Sequence, residues 1–272
     1  MNDSLHDALE RMRAMYRRGH QLALLFDYDG SLTEFTARPA QATMPPATRR
    51  RLEALATLPG VTLGVISGRE LDELERLVGI PDLFYAGTDG LELEYKRQTV
   101  THPLVQHSIQ LIGQIAGALE RVLRDFPAAW LERKHFGLTL HYRQLDSQLV
   151  PELQSRVDRE LKPWEGRLHL VTGAKAIEIT PDLGWTKGTA IEFVLERLAP
   201  VPCCPLFAGD EASDIEAMWR VSIHGGVTIG VGHLQPTIAQ FELSDTNAVL
   251  TLLDDFYLAL SGKTLVENAG DA

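Results

Sequence analysis

Hydrophobic positions along this chain follow two patterns, each with its own stretch of sequence. Continuous apolar runs bounded by turn residues occupy 22–26, 61–66, 83–86 and 206–208, the signature of strands buried on both faces of a parallel sheet. Around them apolar residues recur at helical spacing: Leu5, Leu9, Met12 and Tyr16 near the start, then the stretches 70–78 and 190–198. Strand alternating with helix predicts an α/β fold with a parallel sheet. The middle of the chain reads differently, as a helix over 107–125, strands over 129–132 and 138–143, a helix over 150–161, and strands over 168–171 and 176–179. This strand-rich block predicts a small α+β domain spanning 105–180, inserted into an α/β core made of 1–104 and 181–272.

Three of the core runs stop beside residues that can do chemistry. In an open α/β sheet the crevice outside the carboxyl ends of the strands takes the ligand, so side chains far apart in sequence are expected to meet there. The run 22–26 leads into Asp27-Tyr28-Asp29-Gly30-Ser31-Leu32. If strand geometry persists, the spacing of two sets Asp27 and Asp29 on one side, one carboxylate to attack and the other to move a proton; an acidic turn is the plain alternative. A calcium loop is excluded, because Leu32 stands where that loop needs glycine. The second run meets Ser67-Gly68-Arg69, whose hydroxyl and N–H groups suit phosphate oxygens, although a serine ahead of a helix also serves as a simple N-cap. Lys187 lies just ahead of the 190–198 helix, where a cation opposes the helix dipole; it is either held there to neutralise an anion or is a solvated surface lysine. The last run opens onto Gly209-Asp210-Glu211-Ala212-Ser213-Asp214. Its carboxylates suit Mg²⁺, with Asp210 at the strand end the best placed, while an acidic helix start would account for Glu211 and Asp214 without a metal.

Taken in order, Asp27-Tyr28-Asp29-Gly30, Ser67, Lys187 and Gly209-Asp210 with Asp214 resemble the four motifs of the haloacid dehalogenase superfamily. A finer resemblance is to the trehalose-6-phosphate phosphatases, and it covers nearly the whole chain. Glu132-Arg133-Lys134 followed by Leu140-His141-Tyr142-Arg143 is similar to that family's E-x-K-G…L-H-Y-R, and Ala176-Ile177-Glu178-Ile179 to its V-V-E-I strand. The segment from Gly225 to Gly232 resembles its G-G-V-T-I-x-V-G. Three segments depart from the family pattern: His135 replaces a cap glycine, Gly87-Thr88-Asp89-Gly90-Leu91-Glu92 stands for G-x-H-G-x-E, and Gly209-Asp210-Glu211-Ala212-Ser213-Asp214 for G-D-D-x-T-D.

The resemblance implies a haloacid dehalogenase-like Rossmannoid core with an inserted α+β cap, and Mg²⁺-dependent hydrolysis of a phosphorylated disaccharide. Asp27 would be the nucleophile, Asp29 the general acid and base, and Ser67 and Lys187 the phosphate cradle. Asp27, Asp210, Asp214 and the Asp29 carbonyl would hold the metal. Gly68 and Arg69 on the core, and Glu132, Lys134, His141, Arg143 and Glu178 on the cap, would bind substrate. Another phosphorylated glycoside, such as a glucosyl- or mannosyl-phosphoglycerate, is an alternative substrate, and a non-catalytic sugar-phosphate-binding module an alternative function.

Composition narrows the partners. With 272 residues, 44% hydrophobic and 23% charged, the chain is long enough for a large core and too apolar for wholesale disorder. A net charge of −11 argues against nucleic acid and anionic membranes. Ten Lys and Arg against nine Asp and Glu leave 105–180 at +1, so the acidity, −12, belongs to the expected core. The adjacent Cys203 and Cys204 suggest neither a disulfide nor a metal site, which fits a reducing compartment. No secretory apolar segment or uninterrupted run of about 18 apolar residues is visible, which predicts a soluble, cytoplasmic protein. Oligomeric state is not encoded in any pattern seen.

Overall fold

The computed structural model describes residues 4–34, 43–173, 175–199, 202–232 and 238–265. The chain divides into two units, Met1–Val100 with Thr186–Ala272, and Thr101–Trp185. The expected insertion, 105–180, lies inside the second.

In the first unit, α1 (Leu5–Arg17) starts at Ser4, whose hydroxyl accepts the Asp7 N–H while Asp7 reaches back to the Ser4 N–H. β1 (Gln21–Asp27) follows, with Leu22, Leu24 and Phe26 wholly buried in the main core. Each contributes about 1.5–3 kcal/mol of apolar transfer energy, which holds this strand at the centre of the sheet. Next come α2 (Pro46–Ala56), β2 (Val61–Ile66), α3 (Leu71–Val78), β3 (Phe84–Gly87), β4 (Glu92–Tyr95) and β5 (Gln98–Thr101).

The second unit holds α4 (Val105–Leu123), β6 (Trp130–Arg133), β7 (Leu138–His141), α5 (Val150–Leu161), β8 (Leu168–Gly173) and β9 (Ala176–Pro181). Its antiparallel sheet, in the order β6-β7-β9-β8, buries Leu138, Leu140, Ile177 and Ile179 against Ile115 and Leu119 of α4 and Leu153 and Val157 of α5. The chain then returns to the first unit through α6 (Lys187–Phe193), a π-helical turn (Val194–Leu198), β10 (Cys203–Gly209), α7 (Ile215–Ile223), β11 (Val227–Val231), β12 (Phe241–Leu243) and α8 (Thr246–Ser261).

The first unit's sheet runs β12-β11-β10-β1-β2-β3-β4-β5. Its pairings are parallel from β12 to β3, and β4 turns back antiparallel on β3. From β1 the chain proceeds to β2 on one side and only much later to β10 on the other. The topological switch point therefore falls between β1 and β10, where an open sheet of this kind leaves its crevice.

Several sequence expectations need adjustment. The helix expected over 107–125 runs Val105–Leu123, and that expected over 190–198 starts three residues early because Thr186 caps it, its hydroxyl accepting the Gly188 N–H. The strand expected over 138–143 stops at His141. Its partner β9 begins at Ala176, opposite His141; the Tyr142 N–H makes one further bond to the Lys175 carbonyl, and the Leu145 N–H then closes a turn on the Tyr142 carbonyl, so Arg143 lies in a turn. His141 and Arg143 therefore do not share a strand face. Cys203 and Cys204 are free thiols at the start of β10. Among the described residues, no helix is long and apolar enough to cross a membrane.

Candidate active site

The register of the sheet sets the candidate residues on one edge. Asp27, the last residue of β1, lies opposite Ile66, so Ser67 is the next residue on the neighbouring strand. On the other side Phe26 lies opposite Ala208, which sets Gly209 and Asp210 beside Asp27.

Beyond Asp27 the strand does not continue. The Leu32 and Thr33 N–H groups both bond to the Tyr28 carbonyl, and the Gly30 N–H bonds to that of Thr33. Asp29 therefore sits on a tight turn, not on the strand face expected from its spacing. Gly30 makes this turn possible: its φ is +85°, and a Cβ there would collide with the Asp210 carboxylate. Gly209 has a similar role on the facing loop, since a Cβ would collide with the Asp214 carboxylate.

Lys187 is the hub. Only 1% of it is exposed, and its Nζ donates to Asp27 Oδ1 at 2.7 Å and Asp214 Oδ1 at 2.8 Å, with Glu211 Oε1 at 3.6 Å. The solvated-lysine alternative is thereby excluded. Burial works against its charge, yet Asp214, Asp27, Glu211 and Asp89 outweigh that and raise its pKa well above the ordinary lysine value. Asp214 Oδ2 accepts the N–H groups of Asp210 and Glu211, so this wholly buried carboxylate fixes both the lysine and the loop that carries Asp210.

One ammonium does not balance the carboxylates around it. Burial, with Asp214, Asp210 and Glu211 as like charges and Lys187 opposing, pushes the Asp27 carboxyl well above its usual range. Burial and the neighbouring Asp214 and Glu211 raise Asp210 to about 7. One oxygen from each of Asp27, Asp210 and Asp214 lies within 4.8 Å of the others. This unbalanced, all-oxygen donor set fits a hard divalent cation. The Asp29 carboxylate stands apart from it.

Both Asp29 oxygens are taken by Arg69, with Nε donating to Oδ2 at 2.6 Å and Nη2 to Oδ1 at 2.8 Å. The third guanidinium nitrogen, Nη1, donates to Glu73 Oε1 at 2.9 Å. Ser67 is not an N-cap, because α3 starts after Glu70; its Oγ accepts the Arg69 N–H and its carbonyl accepts the Asp89 N–H. Asp89 itself is buried at a positive φ of 54°.

On the second unit, His141 Nε2 lies 2.6 Å from Glu132 Oε2, and Lys134 Nζ donates to Glu178 Oε1 at 3.0 Å. Antiparallel register brings Glu132, Thr139 and Glu178 into one row across β6, β7 and β9. Arg143 lies beyond the strand. Sequence reading passed over Glu73, although its spacing of four from Arg69 in an expected helix start was a usable signal, and over Trp130 and Thr139, which no motif marked.

A Rossmannoid sheet bearing an acidic cluster and a buried lysine at its switch point, interrupted by a smaller α+β unit, is the architecture of the haloacid dehalogenase-like hydrolases. One such hydrolase from Bacteroides thetaiotaomicron superposes with a TM-score of 0.62 at 13% identity, covering 87% of this chain and 99% of that one. The Candida albicans trehalose-6-phosphate phosphatase C-terminal domain superposes at 0.80 with 21% identity, over 92% and 96% of the two chains. The family profile described as Trehalose-phosphatase matches residues 25–247, and the chain belongs to that family. A trehalose-phosphate phosphatase of Mycobacterium bovis is 32% identical over 242 residues, 86% of this chain. The aligned region spans 61% of that relative's length.

Proposed function

We propose that this protein is a Mg²⁺-dependent phosphatase that hydrolyses trehalose 6-phosphate to trehalose and phosphate. The observation that carries the reading is the position of Asp27: a buried carboxylate at the end of β1, with Oδ1 on Lys187 and two further carboxylates of a cation-sized group beside it. Membership of the family, and the substrate in the names of its relatives, support the choice of sugar.

The chemistry divides among the chain's own residues. Asp27 attacks phosphorus, and the bond from phosphorus to the sugar oxygen breaks to leave an aspartyl phosphate. Asp29 delivers a proton to the departing oxygen, then takes one from the water that attacks the aspartyl phosphate, so phosphate leaves and Asp27 is restored. Since Arg69 occupies both Asp29 oxygens, one of those bonds must be exchanged for the sugar oxygen during the proton transfer. Lys187 and Ser67 hold the phosphoryl oxygens. Asp27, Asp210 and the Asp29 carbonyl would hold Mg²⁺, which supplies positive charge between the anionic nucleophile and the anionic phosphate. Asp214, with its oxygens already on Lys187 and two backbone N–H groups, positions Asp210 and Lys187. Glu132, Lys134, His141, Arg143 and Glu178 of the second unit read the sugar, which gives that unit the role of a cap.

Phosphate release from trehalose 6-phosphate, measured beside glucosyl- and mannosyl-phosphoglycerates, tests the reading. Fastest turnover on trehalose 6-phosphate, loss of turnover with EDTA, and a fall of about 10⁴-fold or more in Asp27→Asn are expected. A preference for another glycoside would transfer the chemistry to that substrate, and absence of turnover on the whole panel would leave a binding module.

A further inference from the structure

The second unit's sheet has one face packed on α4 and α5, and its other face carries an uncommon set of side chains. Trp130 is 50% exposed and stacks on His141, with ring centroids 4.0 Å apart and planes inclined by 20°. The two residues are opposite each other in the β6–β7 ladder, so they form one row, and Glu132, Thr139 and Glu178 form the next row on that face. His141 is fixed from its edge by Glu132 at 2.6 Å, which leaves the indole a firm backing. Thr139, which lies between Glu132 and Glu178 in the ladder, is 4% exposed, and its Oγ1 has no hydrogen-bond partner. A buried hydroxyl without a partner costs stability, so its presence in the row that carries Glu132 and Glu178 marks a position where a ligand group belongs.

We propose that Trp130 is a specificity-determining residue: an aromatic platform, backed by His141, on which a hexopyranose ring lies while Thr139 Oγ1, Glu132 and Glu178 meet its hydroxyls. The inference rests on the phosphatase reading above in assigning that ring to the sugar end of the substrate. A half-exposed indole with one face on an imidazole offers its other face to the C–H side of a pyranose, at little cost in side-chain entropy. The polar groups complement a neutral polyol. Two carboxylates with one ammonium repel a second phosphate, whereas sugar hydroxyls donate to Glu132 and Glu178 and exchange hydrogen bonds with Thr139.

The 272-residue chain labelled with ¹⁵N in its indoles has four Trp N–H signals, and Trp130→Phe identifies the one from residue 130 by its loss. Titration with trehalose, which lacks phosphate, is expected to shift that signal, and Trp130→Ala is expected to raise KM for trehalose 6-phosphate about tenfold or more, with a smaller change in kcat and partial recovery in Trp130→Phe. A Trp130 signal that trehalose, glucose and maltose all leave in place overturns the proposal, as does an unchanged KM in Trp130→Ala. An indole that responds to sugars in a protein with no trehalose 6-phosphate turnover supports the platform and overturns the assigned reaction, so the two failures are distinct.

Discussion

Arg69 closes on Asp29 with two arms of its guanidinium, at 2.6 and 2.8 Å, while Glu73 holds the third at 2.9 Å. The partners come from the turns after β1 and β2, forty positions apart, so this pair ties together two of the loops that carry the proposed chemistry. Tyr28 adds its ring, 5.4 Å from the guanidinium carbon. Arg69 is 6% exposed, so removing either partner strands a charge in a place with little water.

Arg69→Met is expected to destabilise the protein by about 2–4 kcal/mol, somewhat less than the about 3–5 kcal/mol of a fully buried pair, because Asp29 keeps some contact with solvent. Asp29→Asn should cost less. In a double-mutant cycle read by urea unfolding, the pair should couple by about 1 kcal/mol or more. Strictly additive losses would mean that the two residues do not depend on each other.

Lys187→Met removes the one ammonium between Asp27 and Asp214 and should destabilise the fold by about 3–5 kcal/mol. Adding Asp214→Asn to it should restore part of the loss, because the carboxylate left without a counter-charge is then gone. Equilibrium unfolding of the two variants at pH 7 makes the comparison. A double variant less stable than Lys187→Met alone contradicts the account of Lys187 as the counter-charge of Asp214.

A cation held, as proposed, by Asp27 and Asp210 would bind the folded chain and not the unfolded one. Mg²⁺ at 100 times its dissociation constant should therefore raise stability by about 2.7 kcal/mol. Scanning calorimetry should show a Tm that climbs with Mg²⁺ in the wild-type protein and much less in Asp210→Asn. Equal shifts in both proteins would place the ion elsewhere.

Glu75 on α3 provides a pH test away from the candidate site. Burial, a hydrogen bond to Glu94 on β4, and the charges of Glu94, Asp72 and Glu92 raise its carboxyl from 4.5 to about 7. The folded state thus binds this proton more tightly than the unfolded state. Its stabilising contribution is complete below pH 4.5 and is lost as pH rises through about 7. Glu75→Gln, which mimics the protonated form, should melt with the wild-type protein at pH 4.5 and above it by a few degrees at pH 8. A gap that does not widen with pH would remove the shared proton from the account.

Elements with a local signal are legible from residue order alone. Apolar runs located β1, β2, β3 and β10 to within a few residues, because strands buried on both faces must be apolar throughout. Helical periodicity found α4 and α5, whose buried stripes face one sheet. Residue order also named Asp27, Ser67, Lys187 and Asp210, since each directly follows or precedes such an element. Elements with a weaker local signal, such as β4, β5 and β12, did not stand out: they are short strands with mostly partial or full exposure and no continuous apolar run.

What those residues do to one another depends on the folded arrangement. Lys187 could be surface or core on sequence alone, and it became the buried hub because α6 starts where Asp27 and Asp214 can surround its ammonium. Arg69, expected to bind substrate, also holds Asp29, a relation that depends on two turns meeting across the sheet edge. The expected strand through Arg143 ends at His141 because the chain turns there, with the Leu145 N–H closing on the Tyr142 carbonyl. Trp130 and Thr139 carried no motif at all; their meaning comes from antiparallel register, which turns separate segments into one face. Local chemistry is written residue by residue, whereas burial, pairing and shared charge are properties of neighbours, and neighbours in space are set by the fold.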